Sequence, residues 1–315
     1  MYGELSTVAL DTYGVLRARG QDIVSFLQGQ LSNDIARLAP ERSLLAGYHN
    51  PQGRVIALLR VLQLAADDLL CVLPRELIGP VSARLSKFIL RAKAKLADES
   101  QLWRVGGLLP LTQQAGAAAA ARPAALPAAA NAAARIAQAL VVRLSGEPAR
   151  WLLVSPAAAA ALPGYHAAPE PLLWQRLAIA AGEPQVYTAT SEEFVAQMIN
   201  LDCLGAIDFD KGCYTGQEVI ARAHYRGRVK RRMQRFVTSA PRHLKPGDAG
   251  ELQDGRAFRV VDAVALADGR CEFLAVAPLE PGETEAAVAA GSSRAAAARL
   301  DVQALTLPYP LPGSG

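Results

Sequence analysis

The sequence predicts an α+β fold that ends in a separate β lobe. Up to about residue 230, apolar runs of strand length alternate with segments whose apolar residues recur at the helical period. Beyond that point, short apolar runs are separated by Gly, Asp and Pro turns, which is typical of a small antiparallel barrel or sandwich. The chain has 315 residues, 51% of them hydrophobic, and this length suits two or three domains with a sizeable core.

The first hundred residues predict helical segments around a pair of strands. Residues 20–38, GQDIVSFLQGQLSNDIARL, predict a short amphipathic helix, a break at Gly29 and a second helical turn. The runs RVIALLRVLQL and DLLCVL have strand length. The segment that follows them, RELIGPVSARLSKFILRAK, keeps a helical period despite Pro80.

The middle of the chain predicts three more strands and two helices. The strands are LWRVGGLLPL, ALVVRLSG and WLLVS. Residues 115–139 are mostly alanine interrupted by prolines, and they predict a peripheral helix, because alanine favours helix without specifying packing. The segment PLLWQRLAIAAG predicts a helix that stops at Gly182.

The C-terminal lobe is predicted from five short runs and a tail. The runs are RFVTSA, GELQDG, AFRVVDAVAL, CEFLAVAPL and LDVQALTL. The closing segment LPYPLPGSG predicts an extended tail because its prolines exclude regular structure.

Composition favours a soluble cytoplasmic protein. Four scattered cysteines without a C-x-x-C pair favour reduced thiols and argue against a disulfide framework or a metal site, so no metal is expected. The first residues lack the pattern of a secretory signal, and no long apolar window predicts a membrane span. The formal net charge of +4 permits an anionic ligand or RNA without arguing for either.

The densest chemistry is KGCYTGQE, residues 211–218. Thr215 and Glu218 have the spacing of a capping box, which predicts a helix that begins at Thr215. Cys213 would then lie near the positive end of this helix and beside Lys211, and both influences favour the thiolate. The alternative is a buried cysteine in a tight turn.

A histidine base for Cys213 is missing from this stretch. His224 is the nearest histidine in sequence, but it lies toward the far end of the predicted helix, and Glu218 pairs there with Arg222 four residues later. The other histidines are isolated in sequence. Acyl transfer by Cys213 is therefore disfavoured.

A basic run follows the cysteine motif. The stretch RAHYRGRVKRRMQR, residues 222–235, carries seven Arg or Lys residues and no acid. One interpretation is a site for phosphates, glutamate tails or RNA. The other is a junction between lobes whose guanidinium groups bond carbonyls. No P-loop, dinucleotide fingerprint or RNA-recognition signature accompanies the run.

The stretch KGCYTGQEVIARAHYRGRVKRR resembles the signature of the YgfZ-type folate-binding proteins. These proteins are related to the aminomethyltransferase, or T-protein, of the glycine cleavage system. Four other segments resemble the family in the same order: FLQGQLSNDI, WQRLAIAAGEP, FVAQMINLDCLGAIDFDKGCY and LPYPLP. The resemblance spans nearly the whole chain and is weakest in the alanine-rich middle.

The resemblance implies a three-lobed, T-protein-like ring around a central channel, with a C-terminal antiparallel β-barrel lobe. The expected first lobe joins residues 1–38 to 104–190. The second joins 39–103 to 191–231 and carries the cysteine motif. The third comprises 232–315.

The resemblance also assigns residues. Tyr13 and Trp174 would contact tetrahydrofolate or a derivative. Position 13 departs from a tryptophan, but a flat pterin ring stacks on either aromatic. Cys213 would be the functional thiol, and its turn would be shaped by Lys211, Gly212, Tyr214, Thr215, Gly216, Gln217 and Glu218. Cations of the basic junction would attract the folate tail or a partner, namely Arg222, Arg226, Lys230 and Arg231.

Two departures argue against a classical aminomethyltransferase. The family's enzymes place an aspartate in the segment that resembles LLCVLPRELIGPV, where this chain has none. They also carry a glutamate for the pterin amino group, and the corresponding residue is Ala180. Loss of a charged partner for a buried donor typically costs about 1–3 kcal/mol, so weak folate affinity is expected.

The resulting expectation is a monomeric folate-binding accessory protein that supports the synthesis or repair of iron–sulfur enzymes. Its partners would be iron–sulfur proteins such as tRNA-thiolating enzymes, with tRNA itself as a further candidate and no membrane. One alternative is a tetrahydrofolate-dependent one-carbon transferase. Another is an RNA-binding module that uses the basic run.

Overall fold

The structure is a computed structural model that describes residues 5–110, 126–147, 149–160, 166–167, 171–227, 229–280 and 299–312. Within these ranges it contains β-strands and short helices. The strands are β1 (Leu5–Ala9), β2 (Tyr13–Arg19), β3 (Leu44–His49), β4 (Val55–Ala65), β5 (Asp68–Pro74), β6 (Lys95–Asp98), β7 (Trp103–Pro110), β8 (Ala133–Ile136), β9 (Ala139–Arg143), β10 (Trp151–Pro156), β11 (His166–Ala167), β12 (Arg231–Thr238), β13 (Ala249–Glu251), β14 (Ala257–Ala265), β15 (Cys271–Pro278) and β16 (Val302–Leu305). The α-helices are α1 (Ile23–Gln28), α2 (Arg75–Ser86), α3 (Pro171–Ala180) and α4 (Gln217–Tyr225), with 3-10 turns at Ile35–Arg37 and Ala196–Ile199.

The strands form three sheets. The first sheet has the order β11-β1-β7-β10-β9-β8, the second β3-β4-β5-β2-β6 and the third β13-β14-β15-β12-β16. Pairing is antiparallel throughout the described strands except between β1 and β11. The predicted α+β class is therefore confirmed.

The second sheet is buried on both faces. Along β5, Leu69, Cys71 and Leu73 belong to one hydrophobic cluster, while Leu70 and Val72 belong to another. This alternation follows from the two-residue period of a strand. The first cluster also contains side chains of α1 and α2, and the second joins this sheet to the first sheet. Because both faces of the sheet are buried, the sequences of β4 and β5 are almost continuously apolar.

Helix α3 connects the first and third sheets. It contacts β1 of the first sheet and both β14 and β15 of the third. Arg176 in α3 and Arg235 in β12 both pair with Glu272 of β15, at 3.2 and 2.5 Å. Helix α2 packs on the second sheet through Leu77, Ile78, Val81 and Leu85.

Most of the predicted elements are confirmed, and two are corrected. Helix α2 ends at Ser86, well short of the predicted lysine-rich end. In the alanine-rich segment, residues 111–125 lie outside the described residues, and the predicted helix is wrong further on, because Ala133–Ile136 forms strand β8 against β9. Within the described ranges, every helix is too short or too polar to span a lipid bilayer.

The C-terminal tail is held against the body of the protein. The Tyr309 hydroxyl donates a hydrogen bond to the carbonyl oxygen of Gly182 at 2.7 Å. It also accepts one from Asn200 Nδ2 at 3.3 Å, and the same amide donates to the Met233 carbonyl in β12 at 2.9 Å. Asn200 is fully buried with a φ of 58°, a left-handed conformation that asparagine tolerates. This one side chain therefore ties the tail to the third sheet.

We expect Asn200→Ala to lower the free energy of unfolding by about 2–3 kcal/mol. The change leaves the Met233 carbonyl and the Tyr309 hydroxyl without their donor and places alanine in a left-handed conformation. Urea unfolding followed by circular dichroism measures the effect. Gln101→Ala, at an exposed turn position, is the control, and equal stability of the two variants would contradict the assignment.

Candidate functional site: an aromatic cavity and a cysteine turn

A cavity of about 910 Å³ lies where the three sheets approach one another. Tyr13 of β2, Arg60 of β4, Trp174 of α3 and Asp262 of β14 line it, so each sheet or its associated helix contributes. This volume lies at the upper end of the range for small-molecule sites.

The structure brings Tyr13 and Trp174 to this one cavity. Tyr13 is half-buried, and burial raises its pKa to about 12, so the phenol stays protonated. Trp174 is 4% exposed and lies against Gly107, where a Cβ atom would sit 2.3 Å from its ring. The guanidinium of Arg150 lies 5.3 Å from the Trp174 ring centre and covers one face. Their role in binding a folate stays a prediction.

A buried carboxylate joins two buried arginines in the cavity wall. Glu183 accepts hydrogen bonds from Arg60 Nη2 at 3.1 Å and from Arg150 Nη2 at 2.8 Å. Burial alone would raise the pKa of Glu183, but the charges of Arg150 and Arg60 outweigh it and hold the pKa below its usual value. The group of three therefore carries one net positive charge inside the protein.

Glu183 owes its position to the turn after α3. Gly182 has a φ of 63°, and the Tyr309 hydroxyl lies 2.7 Å from where its Cβ would be. Glu183 was not predicted as a cavity residue, although it follows the predicted stop at Gly182. Ala180, where the family resemblance implies a glutamate, closes α3.

The third sheet contributes Asp262, which the sequence analysis also missed. Its pairing register shifts between Val260 and Asp262, so a β-bulge redirects the strand at this point. Asp262 is 2% exposed and accepts hydrogen bonds from Gln175 Nε2 at 2.8 Å and from the Tyr187 hydroxyl at 3.3 Å. A charged residue within a strand-like apolar run, AFRVVDAVAL, was the available signal.

The cysteine motif forms a turn apart from the cavity. Among the described residues that line the cavity, none belongs to 211–218. Lys211 anchors the turn, because its Nζ donates to the carbonyl oxygens of Gln28 and Leu31, both at 2.6 Å. The same ammonium lies 4.9 Å from the Tyr214 ring centre. Burial lowers the pKa of Lys211 to about 8.

The predicted capping box is wrong. Helix α4 begins at Gln217, two residues later than predicted, and its N-cap is Gly216 without a side-chain capping bond. Gly216 has a φ of 83°, and a Cβ there would lie 2.5 Å from the Asn50 carbonyl oxygen. The close approach of the β3–β4 turn therefore sets the helix start. Glu218 and Arg222 form no ion pair in the part of the chain that the structure describes.

Cys213 is exposed on this turn, so the alternative of a buried cysteine is wrong. His224 stacks on Phe209 with ring centres 3.8 Å apart, at the far end of α4 from the motif. The histidine that approaches the turn is His49, whose ring centre lies 6.2 Å from that of Tyr214. His49 is 1% exposed, neither ring nitrogen has a partner among the described residues, and burial lowers its pKa to about 3. It is therefore neutral.

The basic run divides into an exposed part and a structural part. Arg222, Arg226 and Lys230 are exposed. Arg231 Nη2 donates to the Ala257 carbonyl at 3.3 Å. Arg232 is buried, pairs with Asp202 at 2.9 Å and donates to the Gln197 carbonyl at 3.2 Å. Arg231 and Arg232 thus make the carbonyl contacts expected of a junction between lobes.

Comparison with known proteins assigns the fold and then the family. The chain is similar to a solved aminomethyltransferase T of the glycine cleavage system from Bartonella henselae, with a TM-score of 0.63 and 14% identity over 88% of this chain and 79% of that chain. The architecture is thus that of the T-protein class.

Curated relatives make the assignment more specific. The chain is 32% identical over 277 residues to tRNA-modifying protein YgfZ of Enterobacter sp. (strain 638), covering 84% of this chain and 83% of the relative. The same protein of Escherichia coli O157:H7 (strain EC4115 / EHEC) matches at 32% with the same coverage. The chain therefore belongs to the YgfZ family. No family model matches the sequence.

We expect Gly216→Ala to lower the free energy of unfolding by about 2–4 kcal/mol, because a Cβ in this left-handed residue collides with the backbone of the β3–β4 turn. Gly212→Ala is the matched control in the same turn, since no atom lies within 4 Å of its Cβ position. Thermal unfolding measures both variants. Equal melting temperatures would contradict the account of the helix start.

Proposed function

We propose that this protein is a folate-binding accessory protein that supports tRNA modification. Its action is on iron–sulfur enzymes, including those that thiolate tRNA, whose synthesis or repair it assists with Cys213 as the working thiol. Membership of the YgfZ family supports the connection to tRNA, because its relatives carry the name tRNA-modifying protein.

The observation that carries the folate proposal is the cavity with Tyr13 and Trp174 in its walls. Its volume and mixed lining fit a heteroaromatic ligand of the size of tetrahydrofolate. Tyr13 is the more exposed of the two aromatics and offers its ring for stacking on a flat pterin. The net positive charge of Arg60, Arg150 and Glu183 suits the acceptor atoms of such a ligand.

The proposal for Cys213 rests on its exposure and on the rigid anchoring of its turn by Lys211. We assign Lys211 to positioning, since its ammonium is committed to two backbone carbonyls. An exposed thiol without a histidine partner suits transient contact with sulfur, iron or a partner's cysteine better than acyl transfer. Gly212, Tyr214, Thr215 and Gly216 complete the turn, and Gln217 and Glu218 begin helix α4.

One-carbon transfer lies outside this proposal. The segment LLCVLPRELIGPV lacks the aspartate expected of an aminomethyltransferase, and Glu76, the acid that it does contain, accepts a hydrogen bond from the Thr188 amide at 2.6 Å. The exposed cations Arg222, Arg226 and Lys230 are assigned to attraction of a folate tail or a partner such as tRNA.

The finer architecture is also proposed. We infer that the three sheets correspond to three lobes around a central channel and that the third sheet is rolled into a barrel. The lobe boundaries are proposed as residues 1–38 with 104–190, 39–103 with 191–231, and 232–315. Strand β2 of the first range crosses into the second lobe, where it pairs with β5 and β6. A monomer in the cytoplasm completes the proposal.

We expect 5-formyl-tetrahydrofolate to bind saturably and Tyr13→Ala to weaken this binding about tenfold, because the variant removes an aromatic stacking surface from the cavity. Isothermal titration calorimetry measures both dissociation constants. Tyr225→Ala is the matched control, since Tyr225 is 64% exposed on α4 and does not line the cavity. Absence of binding by folded wild-type protein would refute the folate function.

In cells that lack the endogenous protein, we expect Cys213→Ser to restore thiolated tRNA nucleosides several-fold less than the wild type. Serine keeps the size of the side chain but loses the nucleophilic sulfur. Mass spectrometry of digested tRNA measures the nucleosides. Cys203→Ser is the control, because burial raises the pKa of Cys203 to about 11 and makes it a poor thiolate. Full restoration by Cys213→Ser would exclude a role for this thiol.

A further inference from the structure

Two carboxylates in the cavity have opposite electrostatic surroundings. Glu183 is neutralised by Arg60 and Arg150. Asp262 is more deeply buried than Glu183, yet it forms no ion pair among the residues that the structure describes. A buried carboxylate is normally paired with a cation, because removing its charge from water is costly. Asp262 is therefore a buried acceptor whose charge the protein leaves uncompensated.

The donors that reach Asp262 are all neutral. Its Oδ1 accepts from Gln175 Nε2 at 2.8 Å and from the Ala263 amide at 2.9 Å. Among the described residues, the Tyr187 hydroxyl is the only donor to its Oδ2, at 3.3 Å, which is long for a hydroxyl donor. A carboxylate has about four acceptor positions, so Oδ2 retains capacity for a further hydrogen bond.

Backbone geometry directs this carboxylate into the cavity. The β-bulge between Val260 and Asp262 inserts one residue into β14 and changes which face of the strand Asp262 occupies. Gln175 of α3 then holds the carboxylate in place and itself lines the cavity. Strand β14, helix α3 and the loop that carries Tyr187 thus together fix the orientation of the Asp262 carboxylate.

We propose that Asp262 is the specificity-determining residue of the cavity and accepts a hydrogen bond from an exocyclic amino group on the ring of the ligand. This inference rests on the proposed folate function, in which that group is the 2-amino group of the pterin. In this arrangement Tyr13 stacks on a face of the ligand ring, and Asp262 accepts a hydrogen bond from one edge of it. A site built to accept from an amino group rejects an analogue that presents an oxygen there.

The ionisation state of Asp262 agrees with this role. Burial raises its pKa to about 6, and the hydrogen bonds from Gln175, the Ala263 amide and Tyr187 limit the rise. The carboxylate is therefore mostly ionised at neutral pH, when it acts only as an acceptor.

The test compares 6,7-dimethylpterin with 6,7-dimethyllumazine, which replaces the 2-amino group by an oxygen. Each compound competes against 5-formyl-tetrahydrofolate in calorimetric titrations of wild type, Asp262→Asn and Asp268→Asn. The last is the matched control, because Asp268 lies in the β14–β15 turn and does not line the cavity. Thermal unfolding checks that the nearly isosteric Asp262→Asn is folded.

We expect wild type and Asp268→Asn to prefer the pterin by about 10- to 100-fold and Asp262→Asn to retain a preference below about threefold. Equal binding of the two compounds to wild type would overturn the inference about Asp262 but not the proposed folate function. This comparison needs no variant. A full preference in folded Asp262→Asn would overturn the inference as well. If wild type binds no 5-formyl-tetrahydrofolate, the proposed folate function fails and the inference fails with it.

Discussion

Burial of the second sheet on both faces is the constraint on which the rest of the molecule depends. Alternate residues of its strand β5 contact two different hydrophobic clusters, so neither face of the sheet at this strand is open to solvent. Arg60 of the neighbouring strand β4 is also buried, and its guanidinium requires an acid within the protein. Glu183 meets that requirement, and Arg150 pairs with the same carboxylate. This charged group in the cavity wall therefore follows from the presence of Arg60 in the apolar strand β4.

The same sheet links two sites of different chemistry. Its strand β4 carries Arg60 to the cavity, while the turn between β3 and β4 lies under the cysteine motif, where Asn50 and His49 limit the space at Gly216. The cavity has aromatic, apolar and charged walls, whereas Cys213 is exposed on a turn. The proposed ligand binding and the proposed thiol chemistry are therefore assigned to separate places, which strand β4 and its preceding turn connect. This separation suits a protein that holds a small molecule in one place and meets a partner in another.

Apolar periods predicted the α+β class and most strands. The family resemblance, and not any periodicity, placed Tyr13 and Trp174 in one candidate site. The alanine-rich helix was wrong because alanine specifies no packing partner, and Ala133–Ile136 is instead fixed by pairing with β9. The capping box was wrong because a backbone contact from Asn50, distant in sequence, decides where α4 begins. Glu183 and Asp262 were missed for a similar reason, since side-chain partners distant in sequence hold them: Arg60 of β4 for Glu183 and Gln175 of α3 for Asp262.

The Tyr309–Gly182 hydrogen bond also bears on the order in which the protein is made. The two residues are 127 positions apart, and the bond holds the turn that presents Glu183. During translation, the first two sheets and α3 leave the ribosome long before Tyr309 does. Until Tyr309 is synthesised, the turn at Gly182 lacks this hydrogen bond. Until β14 is synthesised, the cavity wall also lacks Asp262. The wall of the cavity is thus completed by segments that are synthesised after the first two sheets, so a nascent chain can pair these sheets before it has the complete cavity.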